Sequence, residues 1–318
     1  MKIIAQKALR LDKTLQEALS QPRNQVEHFI KEIGVHVNGK LVHKSGLKLR
    51  GGEEITLEFP EMETSTPAEI DFDIDIIYED EDVLVLNKPP FLIVHPAASV
   101  KVPTLVDWLK HRGITLSTIS GEERNGIVHR IDKETSGAII IAKNNEAHTS
   151  LSKQLEDRTM GRYYLALIDM PLKEDMIVDK AIARHSKHRI KMSVNNNGRE
   201  SKSAFSKLAL SQKNPYELIA AKLFTGRTHQ IRVHLESISR HILADKLYGF
   251  KSKKDTIPRV MLHARVIYFH HPKTGKLIIK EAPLFKDFEN ILTDEFNQEE
   301  INEKINKDYI IGRFSNII

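Results

Sequence analysis

There is no cysteine among the 318 residues. Disulfides, thiol nucleophiles and cysteine-ligated zinc are thereby excluded. Aromatic residues make up only 6%, with a single tryptophan, so the 40% hydrophobic content that must build the interior is mostly aliphatic. No apolar run approaches the roughly 20 residues that a membrane helix requires. The opening Met1-Lys2-Ile3-Ile4-Ala5-Gln6-Lys7 is broken by polar residues before an apolar segment develops, so no secretory leader is expected. Neither GxGxxG nor GxxxxGK[ST] occurs, and with them go the common nucleotide-cofactor signatures. Internal repeats and low-complexity stretches are also missing. These absences point to a soluble cytoplasmic protein with no cofactor.

Basic residues are missing from one place in particular. Residues 61–82 hold 10 acids and no Lys or Arg, whereas residues 83–286 hold 35 bases against 18 acids. Residues 1–60 carry 10 bases and 7 acids, and residues 287–318 carry 3 bases and 8 acids. An excess of positive charge concentrated in one block calls for a polyanionic partner. A chain of this length suggests two domains rather than one small core.

Residues 1–62 read as a compact α/β module. Leu11, Leu15, Ala18 and Leu19 share one helical face, and Val26, Phe29, Ile30 and Ile33 form the stripe of a second helix beginning near Asn24 and ended by Gly34. Val35 and Val37 alternate as a strand, and Asn38-Gly39 is a strong hairpin turn. Basic residues dot this region: Arg23, Lys31, Lys40, Lys44, Lys48 and Arg50. The segments Arg10-Leu11-Asp12-Lys13, Gly34 to Lys40 and Gly52-Glu53-Glu54-Ile55 resemble the S-four RNA-binding domain. That resemblance makes Arg23, Lys31, Lys40 and Lys44 candidate RNA contacts.

Residues 63–75 are expected as an acidic linker, although Ile70, Phe72, Ile74 and Ile76 alternate with aspartates in the manner of an edge strand. From residue 76 to 286 short strands dominate, with helices near 105–110, 146–155 and 230–237. Without regular strand-helix alternation this predicts an α+β domain with a mixed, largely antiparallel sheet. Residues 287–318 are expected as an acidic, helix-prone tail.

One charged loop stands between two apolar runs: Val128-His129-Arg130-Ile131-Asp132-Lys133-Glu134-Thr135-Ser136-Gly137, followed by Ala138-Ile139-Ile140-Ile141-Ala142. Strands holding a carboxylate in a loop are how a fold positions a reactive group. By itself Asp132 reads equally well as a turn former. Three further segments share this character: Arg162-Tyr163-Tyr164-Leu165-Ala166-Leu167, Thr225-Gly226-Arg227-Thr228-His229-Gln230-Ile231-Arg232-Val233-His234-Leu235, and Asn87-Lys88-Pro89-Pro90. A Ser-His-Asp triad drawn from Ser136, His129 and Asp132 lacks a nucleophile elbow and is rejected. The histidines lack metal-site spacing, so no metal is expected.

Taken together these four segments resemble the RluA family of RNA pseudouridine synthases, over about residues 76–283. The resemblance implies the pseudouridine synthase fold with a central cleft, and an isomerase acting on RNA, most of all large-subunit ribosomal RNA. It places the catalytic aspartate at Asp132, the active-site tyrosine at Tyr164 and the arginine paired with the aspartate at Arg227. Arg130 becomes a candidate for a phosphate of the flipped nucleotide. Lys187 and Arg189, in the basic run 184–191, become RNA-facing candidates. Phe91, Ser239 and Ala244 depart from the family, which usually has glycine there. Tyr163 and Phe224 are expected in the core. The chain is expected to act as a monomer. Two other readings remain: a non-catalytic RNA-binding ribosome-assembly factor on the same fold, and a hydrolase that releases the base.

Overall fold

The structure, a computed structural model, describes residues 2–19, 23–57, 70–96, 100, 102–119, 125–251 and 257–315. The chain divides between Pro67 and Ala68 into two compact units.

The first unit has two helices, α1 (Leu11–Leu19) and α2 (Arg23–Glu32), and four short strands. These are β1 (Lys2–Ile4), β2 (Val35–Val37), β3 (Lys40–Val42) and β4 (Glu54–Thr56), in the order β1-β4-β2-β3 and antiparallel throughout. The predicted turn is in place: Asn38 and Gly39 both have positive φ, and Val37 faces Lys40 across it. Leu11, Leu15, Val26, Ile30 and Ile55 form the centre of its core, while Ala18 and Ile33 lie outside it. Lys31, Lys40, Lys44, Lys48 and Arg50 are all exposed. Arg23 opens α2, but its side chain lies outside the described residues.

The second unit is built on a nine-stranded sheet. Its strands are β5 (Asp75–Glu79), β6 (Val83–Lys88), β7 (Ser136–Ala142), β8 (Gly161–Ile168), β9 (Met176–Asp179), β12 (Lys202–Leu210), β13 (Glu217–Leu223), β14 (Leu262–His270) and β15 (Leu277–Glu281). The order is β5-β6-β7-β14-β8-β13-β12-β9, with β15 added to β14. A separate hairpin joins β10 (Ile182–Arg184) and β11 (Met192–Val194). Every pairing is antiparallel except β7 with β14, so the sheet is mixed and largely antiparallel as expected. Helices α3 (Leu105–His111), α4 (Asn145–Glu156) and α5 (Gln230–Glu236) match the three predicted segments. The parallel contact depends on Gly137: a Cβ there would lie 2.3 Å from the Ala264 carbonyl oxygen, and φ is +108°.

Two expectations about segment boundaries are corrected. Residues 70–75 are not linker. Ile70, Phe72 and Ile74 pack into the cluster around Trp108 of α3, because their alternation presents one apolar edge to that core. Residues 63–69 lie outside the described residues. Residues 287–318 are not a tail over their described part. They supply most of α6 (Lys286–Glu295), and all of α7 (Gln298–Lys304) and α8 (Lys307–Arg313). Phe288, Leu292, Phe296, Ile301, Ile310 and Phe314 are buried in the largest core cluster. Glu289, Asp294, Glu299, Glu303 and Asp308 are exposed on the outward faces of these helices, and the apolar residues recur at helical spacing on the inward ones.

All three positions where the family's glycine is replaced have a left-handed backbone: Phe91 at φ +66°, Ser239 at +57° and Ala244 at +65°. The fold imposes the conformation that glycine would adopt without strain.

Candidate active site

A cavity of about 420 Å³ lies where the loop before β7, the strand β8, the bend after β13 and the start of α5 converge. Asp132, Tyr164 and Arg227 all line it, as do Arg130, Phe224, His229 and Arg232. The predicted segments are thus brought together, although Asp132 and Arg232 are 100 positions apart.

Asp132 lines the cavity with its side chain about one-fifth exposed (21%). Its backbone carbonyl accepts from the Thr135 amide at 3.1 Å, which closes the loop into a turn. The turn-forming reading of Asp132 therefore holds for its backbone and leaves its carboxylate free to face the cavity. Arg232 Nη1 donates to Asp132 Oδ2 at 3.2 Å. The other side of the same guanidinium grips Asp245, Nε to Oδ2 at 2.7 Å and Nη2 to Oδ1 at 2.8 Å. Its carbon lies 4.9 Å over the Tyr248 ring.

This corrects the expected pairing. Arg227 does not reach Asp132: its Nε donates to the Glu200 carbonyl at 3.2 Å, and its amide donates to Gln230 Oε1 at 3.0 Å. Arg227 lies in the bend ahead of α5, whereas Arg232 lies within the helix, on the side that meets the catalytic loop. The burial of Gln230 through Leu235, which calls for a carboxylate beside Arg232, exists only in the folded chain.

His229 caps α5 with a left-handed backbone, φ +57°. Its Nδ1 is 2.8 Å from the Tyr248 hydroxyl and its Nε2 is 3.9 Å from Asp132. Burial pushes its pKa down, so the ring is neutral near pH 7. Tyr164 points into the cavity from β8 and is 3% exposed. Burial pushes its phenol up, and the Arg162 charge opposes that push. Tyr163 turns the other way, against Tyr268 and Phe314 in the core, as expected. Phe224 divides its contacts: it packs on the core and also lines the cavity, with Lys202 and Lys222 each 5.3 Å from its ring centre.

Two buried cations, Lys88 of the fourth motif segment and Arg259, brace the Asp132 loop. Lys88 Nζ donates to the carbonyls of Pro89 (2.7 Å), Leu92 (3.0 Å) and Lys133 (3.2 Å). Burial, with Arg259 nearby, lowers its pKa to about 7. Arg259 pairs with Asp287 through Nε at 2.5 Å and Nη2 at 3.0 Å, and donates to the Glu134 carbonyl at 3.2 Å. The first acid of the supposed tail therefore helps to hold the catalytic loop.

The remaining candidates lie elsewhere. Arg130 is exposed at the cavity. Lys187 and Arg189 are exposed in the β10–β11 connection and do not line the cavity. Ser136 Oγ meets His263 Nδ1 at 2.9 Å rather than His129, so the rejected triad is not assembled. Among the described residues one group has metal-ligand proximity, Asp80, Asp82 and His271. It is not part of the cavity, and Asp80 already accepts from Tyr78 (2.5 Å), His271 (2.9 Å) and two amides.

The sequence profile described as RNA pseudouridylate synthase matches residues 82–237, and that of the S4 domain matches residues 9–55. An uncharacterised RNA pseudouridine synthase of Helicobacter pylori is 48% identical over 96% of this chain and 95% of its own length. The ribosomal large subunit pseudouridine synthase D of Nitrosomonas europaea is 34% identical over 89% of this chain and 83% of its own. Human RNA pseudouridylate synthase domain containing 1 shares the fold, with a TM-score of 0.58 over 77% of this chain and 97% of that one, at 23% identity. No helix among the described residues is long and apolar enough to cross a membrane. With the mixed sheet, the aspartate loop and the cavity shared among three of its four motif segments, the chain belongs to the RNA pseudouridine synthases of the RluA family, with an S4 domain ahead of the synthase domain.

Proposed function

We propose that this enzyme converts specific uridines of large-subunit ribosomal RNA to pseudouridine, with Asp132 as the catalytic carboxylate. The observation that carries this reading is the Asp132 carboxylate, aimed by Arg232 into a cavity that Tyr164 also lines. The cavity lies within the range of small-ligand sites, roughly 300–1,000 Å³.

The reaction breaks the bond between ribose and N1 of uracil, turns the ring and rejoins the sugar to C5. An oriented carboxylate serves this chemistry as nucleophile or as base. Arg232 restricts where that carboxylate points, which keeps it within reach of the sugar. Tyr164 offers a flat ring for the uracil to stack on and a phenol near C5. The uridine must leave its helix to enter, at a cost of a few kcal/mol. Contacts to the RNA backbone offset that cost. Arg130 and Arg227 at the cavity, Lys187 and Arg189 on the hairpin, and Arg23, Lys31, Lys40 and Lys44 in the first unit are the groups we assign to them. We read the protein as a monomer acting in the cytoplasm.

The test is carbodiimide-stop primer extension on unmodified large-subunit ribosomal RNA. The parent protein is expected to create new stops and Asp132→Asn none. A fully active Asp132→Asn removes the catalytic assignment, and release of free uracil replaces the isomerase with a hydrolase.

A further inference from the structure

Arg162 stands apart from every other cation of the cavity. Its residue is 6% exposed, yet it makes no salt bridge with any carboxylate among the described residues. Its one polar contact among the described residues is His129 Nδ1, met by Nη1, and the Ile140 amide already donates to that ring's Nε2, so a neutral ring cannot accept from both. The Arg162 Nε is buried with no partner at all. Burial and Arg162 together hold His129 neutral, so that ring supplies no negative charge. The contrast with Arg232 is direct, since that equally hidden guanidinium is shared by two carboxylates. A desolvated cation without a counter-charge is expensive, and persists where a ligand or a reaction provides the charge later.

The position indicates which charge that is. Arg162 and Tyr164 lie two residues apart on β8, both facing the cavity, which places them about 7 Å apart along the strand. That separation is about the width of a pyrimidine. A ring stacked on Tyr164 would carry its carbonyl edge to the Arg162 guanidinium. Gly226 lies alongside: a Cβ there would be 3.6 Å from Arg162 Nη2, and glycine leaves that side open. Backbone phosphates have exposed cations available at the cavity, Arg130 among them, and need not reach a side chain this deep.

We propose that Arg162 is a catalytic residue that stabilises the uracil anion formed when the glycosidic bond breaks. This rests on the pseudouridine synthase reading above. When C1′–N1 cleaves, the bonding pair stays on the ring, shared among N1 and the two carbonyl oxygens. The electron-poor C1′ faces the Asp132 carboxylate. After the ring turns, C5 supplies the pair for the new bond to C1′ and then gives up its proton to a base, while N1 takes up a proton in its place. No atom is gained or lost, and no oxidant or co-substrate enters. The negative charge exists only between the two bonding events, when Arg162 is, among the described residues, the buried cation of the cavity that no carboxylate matches.

Leaving-group dependence tests this. Single-turnover kcat and KM are measured for the parent, Arg162→Gln and Arg162→Lys on matched RNAs carrying uridine or 5-fluorouridine at the target, read as loss of the starting nucleoside in nuclease digests. Fluorine stabilises the ring anion by itself and so reduces the need for the cation. On uridine RNA, Arg162→Gln is expected to lower kcat by about 10²–10³-fold, the range for removing one preorganised donor, with KM little changed. On 5-fluorouridine RNA the loss should shrink by at least about tenfold, with Arg162→Lys intermediate on both. Should Arg162→Gln fail to fold, Arg162→Lys carries the same comparison. Equal losses on both RNAs overturn the proposal, because a structural role is blind to fluorine. A loss confined to KM, with a shallower dependence of binding on salt, also overturns it and assigns Arg162 to a phosphate. If the parent converts no RNA at all, the functional reading itself has failed.

Discussion

Two sides of one cavity treat buried charge in opposite ways. Around Asp132 every buried cation is satisfied: Arg232 by Asp132 and Asp245, Arg259 by Asp287 and backbone carbonyls, Lys88 by three carbonyls. Around Arg162 the cation has a neutral histidine and an idle Nε. The satisfied side behaves as scaffold, because each group there is over-determined by partners and holds the carboxylate in one direction. The unsatisfied side behaves as a receptor for charge that has not yet arrived. The difference lies in the count of partners rather than in burial, since Arg162 and Arg232 are 6% and 9% exposed.

The harshest way to break the satisfied side is to remove what anchors it. Deleting residues 287–318 takes away Asp287 and six buried apolar side chains of the main core. At about 2–5 kcal/mol per large core side chain, the loss exceeds the total stability of a typical domain, about 5–15 kcal/mol. The truncated protein is expected to show no cooperative thermal transition by calorimetry of the second unit. A sharp transition within a few degrees of the parent contradicts the assignment of these helices to the core.

The next comparison sets the two arginines against each other directly. Arg232→Met leaves two carboxylates facing one another with no cation between them, which should cost about 3–5 kcal/mol. Arg162→Met removes a charge that nothing matched, and its effect on the free protein should be within about 1 kcal/mol or stabilising. Urea denaturation of both variants checks this. Equal destabilisation would erase the distinction between the two sides.

The smallest effect concerns pH on the satisfied side. Lys88 releases its proton in the folded state near pH 7, while the unfolded chain keeps that proton until about pH 10.4. Between those values the unfolded state binds more protons, so the Lys88 contribution to stability rises with pH. Urea midpoints of the parent relative to Lys88→Met should therefore improve from pH 7 to pH 10, by an amount on the order of 1–3 kcal/mol. A flat difference means that Lys88 remains charged in the fold.

Much of this molecule is legible along the chain. Alternating apolar residues marked the strands, Asn38-Gly39 marked a hairpin, and the polar loop between two apolar runs marked Asp132. The substituted glycines at 91, 239 and 244 were visible as departures, and their common left-handed backbone is the reason glycine is usual there. The C-terminal segment reads as a tail because its acids dominate the composition. Phe288, Leu292 and Phe296 nevertheless recur every fourth residue, which is a helical face. The motif points to Arg227 rather than Arg232 because nearness within a motif says nothing about which side of a helix meets a distant loop.

By itself the sequence determined the local pieces: two units, their strands and turns, and a loop that presents a carboxylate. Those outcomes follow from backbone preferences and apolar periodicity, which act over a few residues. Only the tertiary structure decided which buried cations are spent and which is spare. Arg232 is consumed by acids 100 and 13 positions away, and Arg162 meets none. Coulomb interactions act through space, so the arrangement that separates scaffold from reactive charge does not exist until the sheet has brought those residues together.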